Sequence, residues 1–272
     1  MTAMRLYDAH NHLQDERFNT PHDLLLAACS KAGIEKMVVN GSCESDWPAV
    51  LDLARQYPAV VPSFGYHPWH LHECTGQWQE NLAKCLDAIP SAVGEIGLDR
   101  WKQGLDWLPQ EEAFVIQLRM AAQRRLPISI HCLQAWGPLL DVLRSEPPLP
   151  AGFLLHSYGG PPEMIQPLAK LGAYFSFPGF FAQDRKSRQR ETFRHVPRDR
   201  LLIETDAPDQ SLPASLATHP LTDGAGNALN HPANLAATYQ FLATFLGEPQ
   251  LAERVEANFL RLFGGVLKSS PG

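Results

Sequence analysis

The chain has few cysteines, no long apolar run, no surplus of positive charge and no low-complexity linker, and each absence narrows what it can be. Its five cysteines, Cys29, Cys43, Cys74, Cys85 and Cys132, are odd in number and form no C-x-x-C pair. That excludes a disulfide scaffold and a zinc knuckle and leaves free, mostly packed thiols. No stretch of about 18 apolar residues occurs, and Met1 to Asp8 is too short and mixed for a secretory signal. A soluble, cytoplasmic protein without a membrane anchor is expected, and no obligatory protein partner is evident. The net charge of −6 argues against a protein that coats nucleic acid non-specifically, because such affinity comes from clustered Lys and Arg. One local basic segment stands out, Arg185 to Arg200, with Glu191 and Asp199 as its acidic members. It reads equally well as a solvated helix face and as a phosphate-contacting surface.

What is present is enough apolar material, 44% of 272 residues, for one large core, so one domain spanning residues 1–272 is expected. Short β-rich runs recur along it: Arg5–Ala9, Lys36–Asn40, Val60–Gly65, Ala92–Ile96, Ile128–Cys132, Gly152–His156, Ala173–Phe177 and Leu201–Thr205. Between them lie stretches of helical periodicity such as Asp23–Ala32 and Gln110–Arg125, and two more, His231–Leu246 and Pro249–Phe263, follow the last run. Strands alternating with helices imply parallel βαβ units, and eight such units close into a (β/α)8 TIM barrel. The turn-rich segment Asp206–Asn230 reads as a long loop over the active face.

In this layout the ionisable residues share one address, the C-terminal ends of strands. His10 and His12 end the first, His67 the third, Glu95 the fourth, His131 the fifth, His156 the sixth and Asp206 the eighth. Barrel enzymes assemble their chemistry at that mouth. Alternate residues of a strand point the same way, so His10 and His12 can bind one ion together. A carboxylate ending a buried strand is costly unless paired or bound to a cation, and unlike histidine it can bridge two ions. Glu95 is therefore the expected bridge, with His10, His12 and Asp206 on one divalent ion and His131 and His156 on the other. Glu204 shares the parity of Asp206 and is expected one layer deeper. Mixed nitrogen and oxygen donors suit Zn2+, Mn2+ or Fe2+ better than an all-oxygen Mg2+ cage. Two such ions would activate a water for hydrolysis, with Asp206 as its proton acceptor.

The ordered motifs Asp8-Ala9-His10-Asn11-His12-Leu13, Gly65-Tyr66-His67-Pro68, Gly94-Glu95-Ile96-Gly97-Leu98-Asp99, Gln110 through Phe114 to Gln117-Leu118, Pro127-Ile128-Ser129-Ile130-His131, Leu155-His156-Ser157-Tyr158-Gly159-Gly160 and Glu204-Thr205-Asp206-Ala207-Pro208 span nearly the whole chain. In these the sequence resembles the TatD family of metal-dependent deoxyribonucleases, among the amidohydrolase-like barrels. The resemblance implies a phosphodiesterase with two divalent ions (Zn2+, Mn2+ or Mg2+), typically a 3′ to 5′ exonuclease on single-stranded DNA, with His67 near the scissile phosphate. Two positions depart from the family pattern: Leu133 and Leu229 stand where an Arg is usual. Each missing guanidinium removes a planar fork for phosphate, so substrate contacts are sought instead in Arg100 and Lys102, which flank Trp101 after the fourth strand. The other function compatible with the same metal core is hydrolysis of a small amide, lactone or phosphoester.

Overall fold

A computed structural model describes residues 4–267. Eight parallel strands form one sheet in sequential order: β1 (Leu6–Asn11), β2 (Ile34–Asn40), β3 (Val60–Phe64), β4 (Ala92–Asp99), β5 (Ile128–Leu133), β6 (Phe153–Leu155), β7 (Ala173–Pro178) and β8 (Leu201–Glu204). The barrel expected from the alternation of strands and helices is the one found. Helices α1 (His22–Lys31), α2 (Trp47–Gln56), α3 (Trp78–Ala88), α4 (Trp107–Arg124), α5 (Trp136–Ser145), α6 (Ile165–Lys170) and α7 (Ser187–Thr192) connect the strands. Helices α8 (Leu235–Leu246) and α9 (Leu251–Phe263) complete the outer layer. No helix among the described residues is long and apolar enough to cross a membrane.

The seam between β8 and β1 closes just beyond the strands, where Asp206 N donates to His10 O at 2.9 Å and His12 N to Ala207 O at 2.8 Å. Deeper in the seam, the buried Asp8 carboxylate accepts from Thr205 N and Thr205 Oγ1. Closure thus brings the first and last motif residues side by side.

Helix α4 shows how a helix outside the barrel positions chemistry inside it. Gln110 and Gln117 lie seven residues apart, two turns along one face, and both are buried. A buried amide without a partner costs about 1–3 kcal/mol, so each must be satisfied. Gln110 Oε1 accepts from Asp99 N, and Gln117 accepts from Tyr66 N and donates to Tyr66 O. The helix therefore fixes the backbone beside His67 and at the end of β4.

Two expectations need correction. Glu95 lies inside β4, not at its end, because the strand stays paired with β5 as far as Asp99 opposite Leu133. The close approach needs glycine: a Cβ at Gly97 would meet His131 O at 2.0 Å. The segment Asp206–Asn230 is not all loop, since Pro220–Thr222 (β9) and Ala228–Asn230 (β10) pair as an antiparallel hairpin.

Candidate metal centre

Six of the seven residues singled out at the strand ends line one cavity of about 770 Å³ at the barrel mouth, and the seventh, His10, is fully buried beside Glu95. Glu95 is at the centre. Its Oε2 faces His12 Nε2 at 3.1 Å and His10 Nε2 at 3.4 Å. Its Oε1 faces His156 Nε2 at 2.9 Å, His131 Nδ1 at 3.1 Å and His67 Nε2 at 3.2 Å. Asp206 Oδ1 lies 3.6 Å from the Nε2 atoms of both His10 and His12. Its backbone is left-handed, φ 51°, as is Ser157, φ 45°, one residue past His156. Such conformations are uncommon outside glycine and recur where a surrounding network holds them.

The second nitrogen of each ring decides what the first can do. His12 Nδ1 is 2.8 Å from Asn40 O, an acceptor only, so Nδ1 carries a proton in either charge state and Nε2 is the nitrogen left to face Glu95 or an ion. His131 is held the other way round: Nε2 donates to Asp99 Oδ2 at 3.0 Å and Nδ1 presents the lone pair. His10 Nδ1 bonds Ser129 Oγ at 2.8 Å. Ring nitrogens and carboxylate oxygens packed at about 3 Å need positive charge among them, from ring protons in the free site or from a bound cation, so the donor set fits divalent metal. His67 differs. Its Nδ1 accepts from Trp69 N at 3.2 Å, leaving Nε2 to donate to Glu95 rather than to bind an ion.

The electrostatics carry the same demand for positive charge. Burial alone would raise the Glu95 carboxyl, but the imidazoles of His67, His156 and His10 hold it well below its usual range. Against burial, the hydrogen bond and charge of Glu95, together with Asp206, push His12 up to about 9. Burial takes His67 down to about 3, against the pull of Glu95, so its ring is neutral at ordinary pH. Glu204 lies below the site as expected, accepting from Ser157 N at 2.7 Å, from Ser157 Oγ at 2.5 Å and from Ser176 Oγ.

The expected substrate contacts separate. Lys102 Nζ stands 4.2 Å over the ring of Trp69, which lines the mouth, whereas Arg100 stacks on Trp107 and does not reach the lining. Leu133 lines the cavity; Leu229 is buried in β10, away from it. Within Arg185–Arg200, Arg190 and Arg198 are bound to backbone carbonyls and Arg194 to Glu191, and none of the segment lines the mouth. Sequence reasoning missed Arg17, Trp69 and Gln210. Gln210 Nε2 holds Asp206 Oδ2 at 2.5 Å, and Arg17 binds both Asp15 and Asp209, which line the same cavity. No periodicity marks them, because Arg17 and Gln210 are on irregular segments and Trp69 is on a 3-10 helix of six residues, too short to show a repeat. Asp99 was legible as a motif residue, and its parity with Glu95 along β4 is the signal that points it toward the same site.

The family profile described as TatD related DNase matches residues 7–264. The chain belongs to that family. It is 30% identical over 267 residues to the 3′-5′ ssDNA/RNA exonuclease TatD of Escherichia coli K12, covering 95% of this chain and 99% of that protein. The 3′-5′ ssDNA/RNA exonuclease TatD of Citrobacter rodentium is also 30% identical, over 97% of this chain and all of its own length. Among solved structures, the TatD homologue YJJV of Escherichia coli K12 superposes with a TM-score of 0.87 at 27% identity, covering 96% of this chain and 98% of that one. This TatD-family chain is a metal-dependent hydrolase, and its buried His, Glu and Asp cluster is a divalent-metal site.

Proposed function

We propose that the protein is a 3′ to 5′ exonuclease acting on single-stranded DNA, one hydrolase domain working in the cytoplasm with two divalent ions. The observation that carries the reading is the division of Glu95: one oxygen faces His10 and His12, the other His131 and His156. His10, His12 and Asp206 would hold one ion, His131 and His156 the other, and Glu95 both. Zn2+ or Mn2+ suits the nitrogen-rich set, and Mg2+ is the third candidate. Bound ions of this kind supply a reactive water at neutral pH and stabilise charge on a phosphoryl group. The TatD relatives, named as exonucleases on ssDNA and RNA, support this substrate class.

The chain's own residues do the rest. Asp206, its Oδ2 fixed by Gln210, takes the proton of the attacking water and returns it to the leaving oxygen. His67 offers its Nε2 proton, given to Glu95 in the free site, to a phosphate oxygen. Trp69, with Lys102 on its ring, gives a terminal base a stacking face and its phosphate a cation.

A second reading, hydrolysis of a small amide, lactone or phosphoester, is favoured by one observation. Arg17 is the one Lys or Arg among the described residues lining the mouth, and two carboxylates already engage it. The test is metal-loaded protein on end-labelled single-stranded DNA beside a panel of small esters, amides and phosphodiesters. Stepwise loss of 3′ nucleotides supports the exonuclease. Turnover of a small substrate with none of DNA replaces it by the second reading.

A further inference from the structure

Beside the main centre, a second set of donors of different chemistry meets at the rim. Cys43 follows β2, and His70 and Glu73 lie on the short 3-10 helix Pro68–Glu73 that follows β3. One donor atom from each lies within 4.8 Å of the others. His70 Nδ1 is buried without a hydrogen-bond partner and stands 3.6 Å from Glu73 Oε1. Cys43 is buried, its sulfur 3.1 Å from Ser45 Oγ, and both Cys43 and His70 line the mouth.

We propose that Cys43, His70 and Glu73 form a third metal site, for a zinc-class ion, separate from the Glu95 centre. Around a tetrahedral ion with Zn–S near 2.3 Å and Zn–N or Zn–O near 2.0 Å, donors lie about 3.3–3.6 Å apart. Donors that already lie within 4.8 Å of one another close with about 1 Å of movement, within reach of the half-exposed Glu73 and His70 side chains. Thiolate, imidazole and carboxylate together select a borderline ion and disfavour Mg2+ or Ca2+, which take oxygen alone. Three protein donors leave a fourth position open toward the cavity.

The site is tied to the main one through the backbone. His67 is the N-cap of the same short helix, and His70 N donates to His67 O at 3.0 Å. An ion joining Cys43 to His70 and Glu73 would clamp the loops after β2 and β3 together and steady the turn that presents His67. The inference does not depend on the substrate proposed above.

The test is titration of the whole, metal-free protein with Co2+, which adopts the zinc geometry and reports sulfur ligation by a strong near-ultraviolet charge-transfer band. The Glu95 centre offers only nitrogen and oxygen, so the band reports this site. It is expected at about one ion per chain, lost in Cys43→Ser, and shifted to about tenfold weaker Co2+ affinity in Glu73→Gln, whose exposed position leaves folding intact. It should survive Cys132→Ser, the other thiol at the mouth, and Glu95→Ala, which dismantles the main centre. No band at saturating Co2+, a band that persists in Cys43→Ser, unchanged affinity in Glu73→Gln, or loss of the band in Cys132→Ser or Glu95→Ala overturns the proposal. A band in wild-type protein whose total Co2+ uptake stops at one ion per chain would leave this site standing and remove the two-ion reading instead.

Discussion

His131 and Asp99 meet through Nε2 and Oδ2 at 3.0 Å, so the imidazole turns its other nitrogen, Nδ1, to Glu95. The same Asp99 oxygen accepts from Trp69 Nε1 at 2.6 Å, and its partner oxygen accepts from the backbone of Trp101 and Lys102. Although burial would raise it, hydrogen bonds from His131, Lys102 and Trp69 hold the Asp99 carboxyl far below its ordinary value.

Asp99→Asn should therefore weaken metal binding without removing a direct donor to the centre. Loss of such a supporting partner typically costs about 10–100-fold in metal affinity. Competition with a calibrated chelator measures it. Wild-type affinity in the variant would show that Asp99 serves the loop alone.

Glu95→Ala should lose both ions of the main centre, whereas Asp206→Asn should keep at least the ion held by His131 and His156 and lose about 10²-fold or more in turnover. An amide can still touch a cation but cannot accept the proton. Metal analysis of dialysed protein and single-turnover kinetics read the two effects separately. Alanine at His22 or His219, neither of which lines the mouth, should change neither. Near-normal turnover in Asp206→Asn would remove it as the base.

Chelation with EDTA should abolish hydrolysis, and added Mn2+, Zn2+ or Mg2+ should restore it. Full activity in protein shown by elemental analysis to be metal-free would end the metal-hydrolase mechanism.

Lys102→Ala and Arg100→Ala should part company. Lys102 reaches the mouth through Trp69, so its loss should raise KM for single-stranded DNA several-fold and flatten the salt dependence, with kcat little changed. Arg100, stacked on Trp107 at 4.1 Å, should leave KM near the wild-type value. Equal effects of the two substitutions would place the DNA path elsewhere on the fourth loop.

His231 should make stability fall on acidification. Burial, with a smaller contribution from His219, lowers its imidazole from 6.5 to about 4, and its Nδ1 accepts from Ala233 N at 3.0 Å. A group depressed in the folded state binds its proton more readily when unfolded, so stability is full above the unfolded pKa and is lost as pH falls toward the folded one. Between pH 7.5 and pH 5 this one residue should cost about 2 kcal/mol. His231→Asn keeps an acceptor at the N-cap without the titration. Urea unfolding at both pH values should show a smaller acid loss in the variant, and an equal loss would assign the effect to other groups.

The strand spacing, the parity of His10 with His12 and of Glu204 with Asp206, and the apolar runs before each were legible in the residues alone. They follow from the two-residue period of a strand and the cost of burying charge, both local properties. The extent of β4 was not, because its last residues stay in the sheet only through pairing with β5, which places Gly97 against His131. The hairpin of β9 and β10 was missed because three-residue strands carry too little alternation to register.

By itself, then, the sequence determined that a set of His, Glu and Asp side chains suited to divalent metal gathers at the barrel mouth. Tertiary structure decided how each is used. The partner that fixes the His10 ring is Ser129, 119 residues away, and Asp99 lies 32 residues from the His131 it orients. It also decided that Arg100 stacks away from the mouth while Arg17 lines it, bound by Asp209 192 residues on. Periodicity fixes the face of an element, but the tautomer of a ring and the reach of a guanidinium depend on atoms that only barrel closure brings within about 3 Å.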